Sequence, residues 1–389
     1  MSRGTVTKQT SPRTGAVTWR ARWSYVDAAG VRRHRSESRP TRDEAQAVLT
    51  KALHELRSGT YVEASRLPFG EHVARWLVSM RAVWRRQSTE HNRIVSWQRW
   101  GAPALGSVPL KDVTLAKIQS VYDAMTARGL SGSTVRCLHD VVRMSLAAAV
   151  RQGLIARNPA VDVLLPAKAR RIPKHWSGVD ARRFLAAIGT EPDAAQWTTL
   201  LYTGMRVGEL LALRWQDVDL IAGSARIVRT VTVDRDGREV IAEGAKSRAS
   251  NRTVPLVGPC LTALKAHQAA LKARRLKAGP AWVEHDIVFP GPLGAPLRRR
   301  SASSRFASLV ERHGLPALSP HGLRHSCATL LLEDGVHPKI VSELLGHSSI
   351  AVTLDVYGHV GEGLKRAAAE RLDAFLAGDG TTTSSRETG

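Results

Sequence analysis

At 389 residues the chain is too long for one ordinary domain and should divide into two or three, and its 43% of hydrophobic residues excludes wholesale disorder. The 57 Lys and Arg stand against 34 Asp and Glu, a net charge of +23, and so large an excess needs an anionic partner, first of all a long polyanion. The basic residues are spread through globular-looking sequence, no apolar run has the length of a bilayer span, and none has the form of a signal peptide; the expectation is a soluble, cytoplasmic chain with no membrane partner.

Residues 1–62 read as a small sheet-plus-helix module. Val17 to Val26 alternates around Trp19, Trp23 and Tyr25 as a strand does, Asp27-Ala28-Ala29-Gly30 turns, and Val31 to Ser38 returns as a second, very basic strand. Thr41, with Glu44 three residues on, caps a helix reaching to about Arg57. The two strands carry Arg20, Arg22, Arg32, Arg33 and Arg35. Arginines beside aromatics on strands suit a DNA groove, and equally a solvated basic face.

Residues 66–166 read as a compact helical domain. Val73, Trp76, Leu77 and Met80 fall at helical spacing, Leu115 to Arg128 is amphipathic, and Ser133 to Gln152 places Val135, Leu138, Val142, Leu146 and Val150 on one face. Arg81, Arg85, Arg86, Arg93 and Arg99 make its surface basic, with Arg85 and Arg86 expected to contact DNA; Trp84, Trp97 and Trp100 among them are expected in the core. Residues 166–173 form a linker whose Lys168, Arg170 and Arg171 can track a phosphate backbone.

Residues 174–378 open with helices over Val179 to Ile188, Ala194 to Tyr202 and Val207 to Leu213. One strand is expected from Arg226 to Val233, a turn at Asp234-Arg235-Asp236-Gly237, a return over Glu239 to Ala242 and a third strand over Asn251 to Leu256, before helices resume from Pro259. The tail, residues 379–389, is rich in Thr and Ser and reads as disordered. The whole is a multidomain, mainly α fold with small β-sheets. Cys137, Cys260 and Cys327 are too far apart for a disulfide framework or a zinc ribbon and read as buried free thiols.

The chemistry-bearing residues lie in this last block. No Walker-type phosphate loop, dinucleotide fingerprint, hydrolase elbow or two-metal acidic cluster occurs in the sequence. In Thr203-Gly204-Met205-Arg206-Val207-Gly208-Glu209 a glycine turn leads into a helix, and Arg206 at the junction can aim its fork at a phosphate. In His321-Gly322-Leu323-Arg324-His325 three potential cations share one helical face, which suits an anion held among them; zinc on the two histidines is the rival reading, opposed by the intervening arginine. His347 follows Leu344-Leu345-Gly346, and Tyr357 follows ten residues later. Tyr202 and Tyr357 are the only tyrosines of this block, and Tyr202 ends an apolar helix and reads as core. A phenol is a poor nucleophile at neutral pH unless cations or a base favour the phenolate.

Arg206, His321 with Arg324, His347 and Tyr357, in that order and with these flanking residues, resemble the signature of the tyrosine recombinases, the phage integrase family. The likeness covers residues 174–378 strongly; the helical block resembles the family's core-binding domain, and the first block its arm-type DNA-binding module. The resemblance implies an α+β catalytic domain, no cofactor and no metal, and a site-specific recombinase that forms a 3′-phosphotyrosine at Tyr357. It implies phosphate binding by Arg206 and Arg324, a hydrogen bond from His347, proton transfer at the tyrosine by His321, and a general acid at Lys246, with Glu209 and His325 in support. Arg248 and Arg252 are expected to touch the DNA backbone. Expected partners are attachment-site duplexes, three further copies of the chain in a tetramer, and an excisionase or host DNA-bending factor. Leu364, Ala368, Leu372 and Leu376, at helical spacing, form a segment that packs on its own domain or, as often in the family, docks onto a neighbouring protomer. A type IB topoisomerase and a non-enzymatic DNA-binding protein are the alternatives.

Overall fold

The computed structural model describes residues 4–10, 12, 15–26, 30–57, 67–84, 86–167, 173–244, 251–347, 349–351, 353–354, 369–370, 372–373 and 376. Of the residues singled out above, Arg85, Lys168, Arg170, Arg171, Lys246, Arg248, Tyr357, Leu364 and Ala368 lie outside the described residues. The chain falls into two units, residues 1–169 and 170–389. No helix among the described residues is long and apolar enough to cross a membrane.

The first unit begins with an antiparallel sheet of β1 (Gly4–Thr10), β2 (Val17–Val26) and β3 (Arg32–Arg39), in that order. The strand over Gly4–Thr10 is additional to the two legible in the sequence: Val6 is its only large apolar residue, and it is held by backbone pairing to β2 more than by its own side chains. Ala21 and Trp23 of β2 close on Ala45, Leu49 and Ala52 of α1 (Arg42–Arg57) to form a small core. Register then sorts the five strand arginines by face, because paired residues of antiparallel strands point the same way. Arg20 and Arg22 face away from the core, as does Arg32, which pairs with Val26. Arg33 pairs with Tyr25 and Arg35 with Trp23, so both lie on the face that α1 covers.

The rest of this unit is helical: α2 (Phe69–Ser79), α3 (Gln87–Ser96), α4 (Ala102–Leu105), α5 (Leu115–Ala127) and α6 (Gly132–Arg151). Thr114 and Ser131 cap α5 and α6 by accepting from the amides of Lys117 and Thr134, as short hydroxyl side chains do at helix starts. Leu138 and Leu146 of α6 are fully buried in one core with Phe69, Tyr122 and Ile118. Trp97 is in this core, edge-on to Phe69 at 5.3 Å; Trp84 is edge-on to Trp76, and the Arg93 and Arg99 guanidiniums cover Trp84 and Trp100 at 4.7 and 5.0 Å. Trp97 is thus a core residue, while Trp84 and Trp100 flank the core, each partly shielded by a neighbouring arginine.

The second unit runs through α7 (Gly178–Ala187), α8 (Ala194–Thr203) and α9 (Val207–Leu211), then strands β4 (Val218–Asp219), β5 (Ser224–Ile227), β6 (Arg229–Val233), β7 (Glu239–Glu243) and β8 (Arg252–Pro255). Helices α10 (Gly258–Ala278), α11 (Arg299–Arg312), α12 (Pro320–Glu333) and α13 (Pro338–Leu345) follow. The single strand expected over Arg226 to Val233 is two: the chain breaks at Val228, β5 joins a β4-β5-β8 sheet and β6 pairs with β7 in a separate one. Alternation continues across the break, so periodicity could not reveal that the two halves pair with different strands. The unit's core gathers Trp176, Phe184, Trp197 and Phe306, ring centroids 4.8–6.0 Å apart.

Phe306 is fully buried at the centre of that aromatic group. Phe306→Ala should destabilise the second unit by about 3–5 kcal/mol, read as a shift of its transition in urea unfolding of the full chain.

Candidate active site

Helix α8 ends at Gly204, whose φ of +58° is left-handed; a Cβ there would also lie 2.2 Å from Leu345 Cδ2. Glycine is required on both grounds, and the turn frees the Gly204 carbonyl, which accepts from Arg324 Nη1 at 2.8 Å. The chain then extends through Arg206 into α9. The Arg206 amide donates to Glu209 Oε2 at 3.0 Å, and its Nη1 and Nη2 donate to Glu209 Oε1 at 2.7 Å and to the Gly346 carbonyl at 3.1 Å.

Helix α12 starts at Ser319, whose hydroxyl accepts from the Gly322 amide, with Pro320 in the first turn. One turn in, His321 and His325 meet edge to face at 4.7 Å. Arg324 between them is only 3% exposed, and its Nη2 is buried with no hydrogen-bond partner among the described residues. Helix α13 ends in a Schellman turn, with Gly346 N donating to Glu343 O and His347 N to Ser342 O. This turn sets His347 beside the Arg206 fork. His347 Nδ1 lies 2.8 Å from the hydroxyl of fully buried Thr353.

The structure thus brings Arg206, Glu209, His321, Arg324, His325 and His347 together from three separate stretches of sequence. It adds Arg252, which the sequence reading sets at the DNA backbone. The Arg252 side chain is 7% exposed and donates through Nη2 to Glu209 Oε2 at 3.0 Å and through Nε to the Leu344 carbonyl at 2.7 Å. The sequence held the signal: Arg252 shares strand parity with Val254 and Leu256, both buried. Thr353, beside His347, carried no assigned role in the sequence. Lys246 and Tyr357 are outside the described residues. Among the described residues no group of three or more His, Cys, Asp or Glu stands close enough to hold a metal.

Electrostatics follow from three guanidiniums around one carboxylate. Burial raises the Glu209 pKa, but the Arg252 charge and the hydrogen bonds from Arg252 and Arg206 outweigh it, and the group stays ionised. Burial, then Arg206, lowers Arg324 to about 9, so it remains charged at neutral pH. Burial, then Arg324 and Arg206, lowers His347 to about 4; burial, then His321 and Arg324, lowers His325 to about 4; burial, then Arg324 and Arg206, lowers His321. At neutral pH these imidazoles are uncharged and can donate or accept a proton, beside buried cations able to receive a multi-oxygen anion.

Residues 179–363 match the phage integrase family. An integrase of Streptomyces ambofaciens is 30% identical over 367 residues, 90% of this chain and 93% of that protein. Among solved structures, the Tn1549 transposon integrase in complex with transposon right end DNA is 23% identical, with a TM-score of 0.66 over 79% of this chain and 100% of that one. A lambda integrase tetramer bound to a Holliday junction is 17% identical, with a TM-score of 0.58 over 86% of this chain and 91% of that one. Both share the fold.

The lowered histidines set a pH dependence. An unfolded histidine takes a proton below its ordinary 6.5, whereas folded His325 and His347 take one only near 4. The folded state binds fewer protons in that window, so stability should fall as pH drops from about 6.5 toward about 4 and be level above it. Urea midpoints measured across pH 4.5–8 check this, and His325→Gln with His347→Gln should flatten the slope.

Proposed function

The chain belongs to the phage integrase family of tyrosine recombinases, and we propose that it integrates and excises a phage or other mobile element by cutting and rejoining DNA at attachment sites. Tyr357 Oη attacks a backbone phosphorus, the bond to the 5′ oxygen breaks, and a 3′-phosphotyrosine keeps the energy of the phosphodiester. A 5′ hydroxyl from a partner strand then attacks that phosphorus and releases the tyrosine. Two duplexes exchange four strands, hence four copies of the chain, with an excisionase or host bending factor setting direction.

The observation that carries the reading is the buried Arg324, whose Nη2 lacks a partner among the described residues, beside the Arg206 fork. Forks of this kind suit the two non-bridging oxygens of a phosphate as charge develops on them. Neutral His321 can take the tyrosine proton, and His347 can donate to a phosphate oxygen; Lys246 protonates the departing 5′ oxygen. Glu209 and His325 act through these groups. Each such contribution is worth about two to four powers of ten in rate. The outer face of the first sheet, with Arg20, Arg22 and Arg32, is the surface proposed for arm-type DNA. Arg85, Arg86, Lys168, Arg170, Arg171 and Arg248 are proposed backbone contacts.

A nicked attachment-site duplex, incubated with the protein in EDTA and run on a denaturing gel, tests this. A covalent protein–DNA band is expected with the natural chain and none with Tyr357→Phe. A duplex that is bound but never linked would remove the catalytic assignment and leave a DNA-binding protein. Relaxation of a supercoiled plasmid without exchange between two sites would point to the topoisomerase instead.

A further inference from the structure

We infer that Arg252 is a positioning residue of the strand-cleavage site, holding Glu209 and the end of α13 so that the Arg206 fork and His347 stand in register. The inference rests on the recombinase reading. Glu209 is divided between two arginines: Oε1 takes Arg206 Nη1 at 2.7 Å and Oε2 takes Arg252 Nη2 at 3.0 Å. Each arginine then reaches the same helix end. Arg252 Nε donates to the Leu344 carbonyl at 2.7 Å and Arg206 Nη2 to the Gly346 carbonyl at 3.1 Å. Two cations thus meet the negative end of the α13 dipole and fix carbonyls that the helix cannot satisfy itself. The next residue is His347.

Hydrogen-bond partners decide the role. Arg252 commits Nη2 to Glu209 and Nε to the Leu344 carbonyl, whereas the equally buried Arg324 keeps an Nη2 with no partner among the described residues to turn toward a phosphate. Without Arg252, Glu209 Oε2 is left with the Arg206 amide at 3.0 Å, so Arg206 alone positions the carboxylate, and the Leu344 carbonyl loses its donor. The Arg206 fork and the turn carrying His347 then shift together. A misplacement of about 1 Å at a reacting centre costs about a hundredfold in rate. Lysine cannot replace arginine here, because a single ammonium on a flexible stem cannot span Glu209 and Leu344 as the planar fork does.

The test uses the full chain and a nicked attachment-site duplex, with R252K as the main variant. Two quantities are measured: the slope of log affinity against log salt, and the rate of covalent complex formation at saturating DNA. R252K should keep the wild-type salt slope and affinity while its saturated rate falls about ten- to a hundredfold. A salt slope reduced by about one, with the saturated rate unchanged, would make Arg252 a phosphate contact and overturn the inference. Thermal melting checks the fold. E209Q/R252M, which removes both buried charges together, provides a second variant: a comparable loss of saturated rate supports the role, and a wild-type rate overturns it. If the natural chain binds the duplex and forms no covalent complex, the recombinase reading fails, and the positioning role with it. If the natural chain reacts and R252K reacts equally fast, the positioning role alone fails.

Discussion

Glu209 holds Arg206 on one carboxylate oxygen and Arg252 on the other, and the cationic face of the second unit is organised around that double contact. A group of guanidiniums packed this closely repels itself, and burying any one of them removes hydration that the protein must replace. Glu209 at 4% exposed, Arg252 at 7% and Arg324 at 3% are all withdrawn from water. Removing one partner of such a pair costs about 3–5 kcal/mol, because the other charge is left stranded. The carbonyls of Gly204, Leu344 and Gly346 accept from Arg324, Arg252 and Arg206, so backbone dipoles share the neutralisation with the one carboxylate.

Those carbonyls are available because of local backbone geometry. Gly204 and Gly346 both turn left-handed at helix ends, with φ of +58° and +65°. Each turn exposes carbonyls that a continuing helix would have used. Apolar packing brings the two turns together: Leu345 lies against Gly204 so closely that no Cβ fits, and Cys327, Ala328, Leu332, Val341 and Leu345 form the small core joining α12 to α13. The charged network therefore depends on a dry contact beside it. The histidines complete the balance. With arginines already present, a protonated imidazole would add repulsion, and His321, His325 and His347 stay neutral at ordinary pH.

Helices with strong apolar periodicity, such as α2 and α6, are legible in the sequence because their signal lies within a few residues. The i, i+3, i+4 spacing of His321, Arg324 and His325 puts them on one face by helix geometry alone. Strands are less legible. β1 has almost no apolar residue and exists by pairing with β2; β5 and β6 read as one strand because their alternation runs through the break at Val228. The arginines of β2 and β3 form a single basic strip in the sequence, and only register divides Arg33 and Arg35 from Arg20, Arg22 and Arg32.

The sequence by itself determined the basic character of the chain, its helical segments, and the order of arginines and histidines that resembles the phage integrase family, because those properties reside in composition and short-range spacing. Tertiary structure alone decided what each buried cation touches. Arg252 shows why. Strand parity with Val254 and Leu256 put it on the inner face, while Glu209 and the Leu344 carbonyl, which it meets there, lie 43 and 92 residues away along the chain. Long-range packing, which no local pattern encodes, brings a carboxylate and a helix end to one guanidinium and makes burial of its charge tolerable.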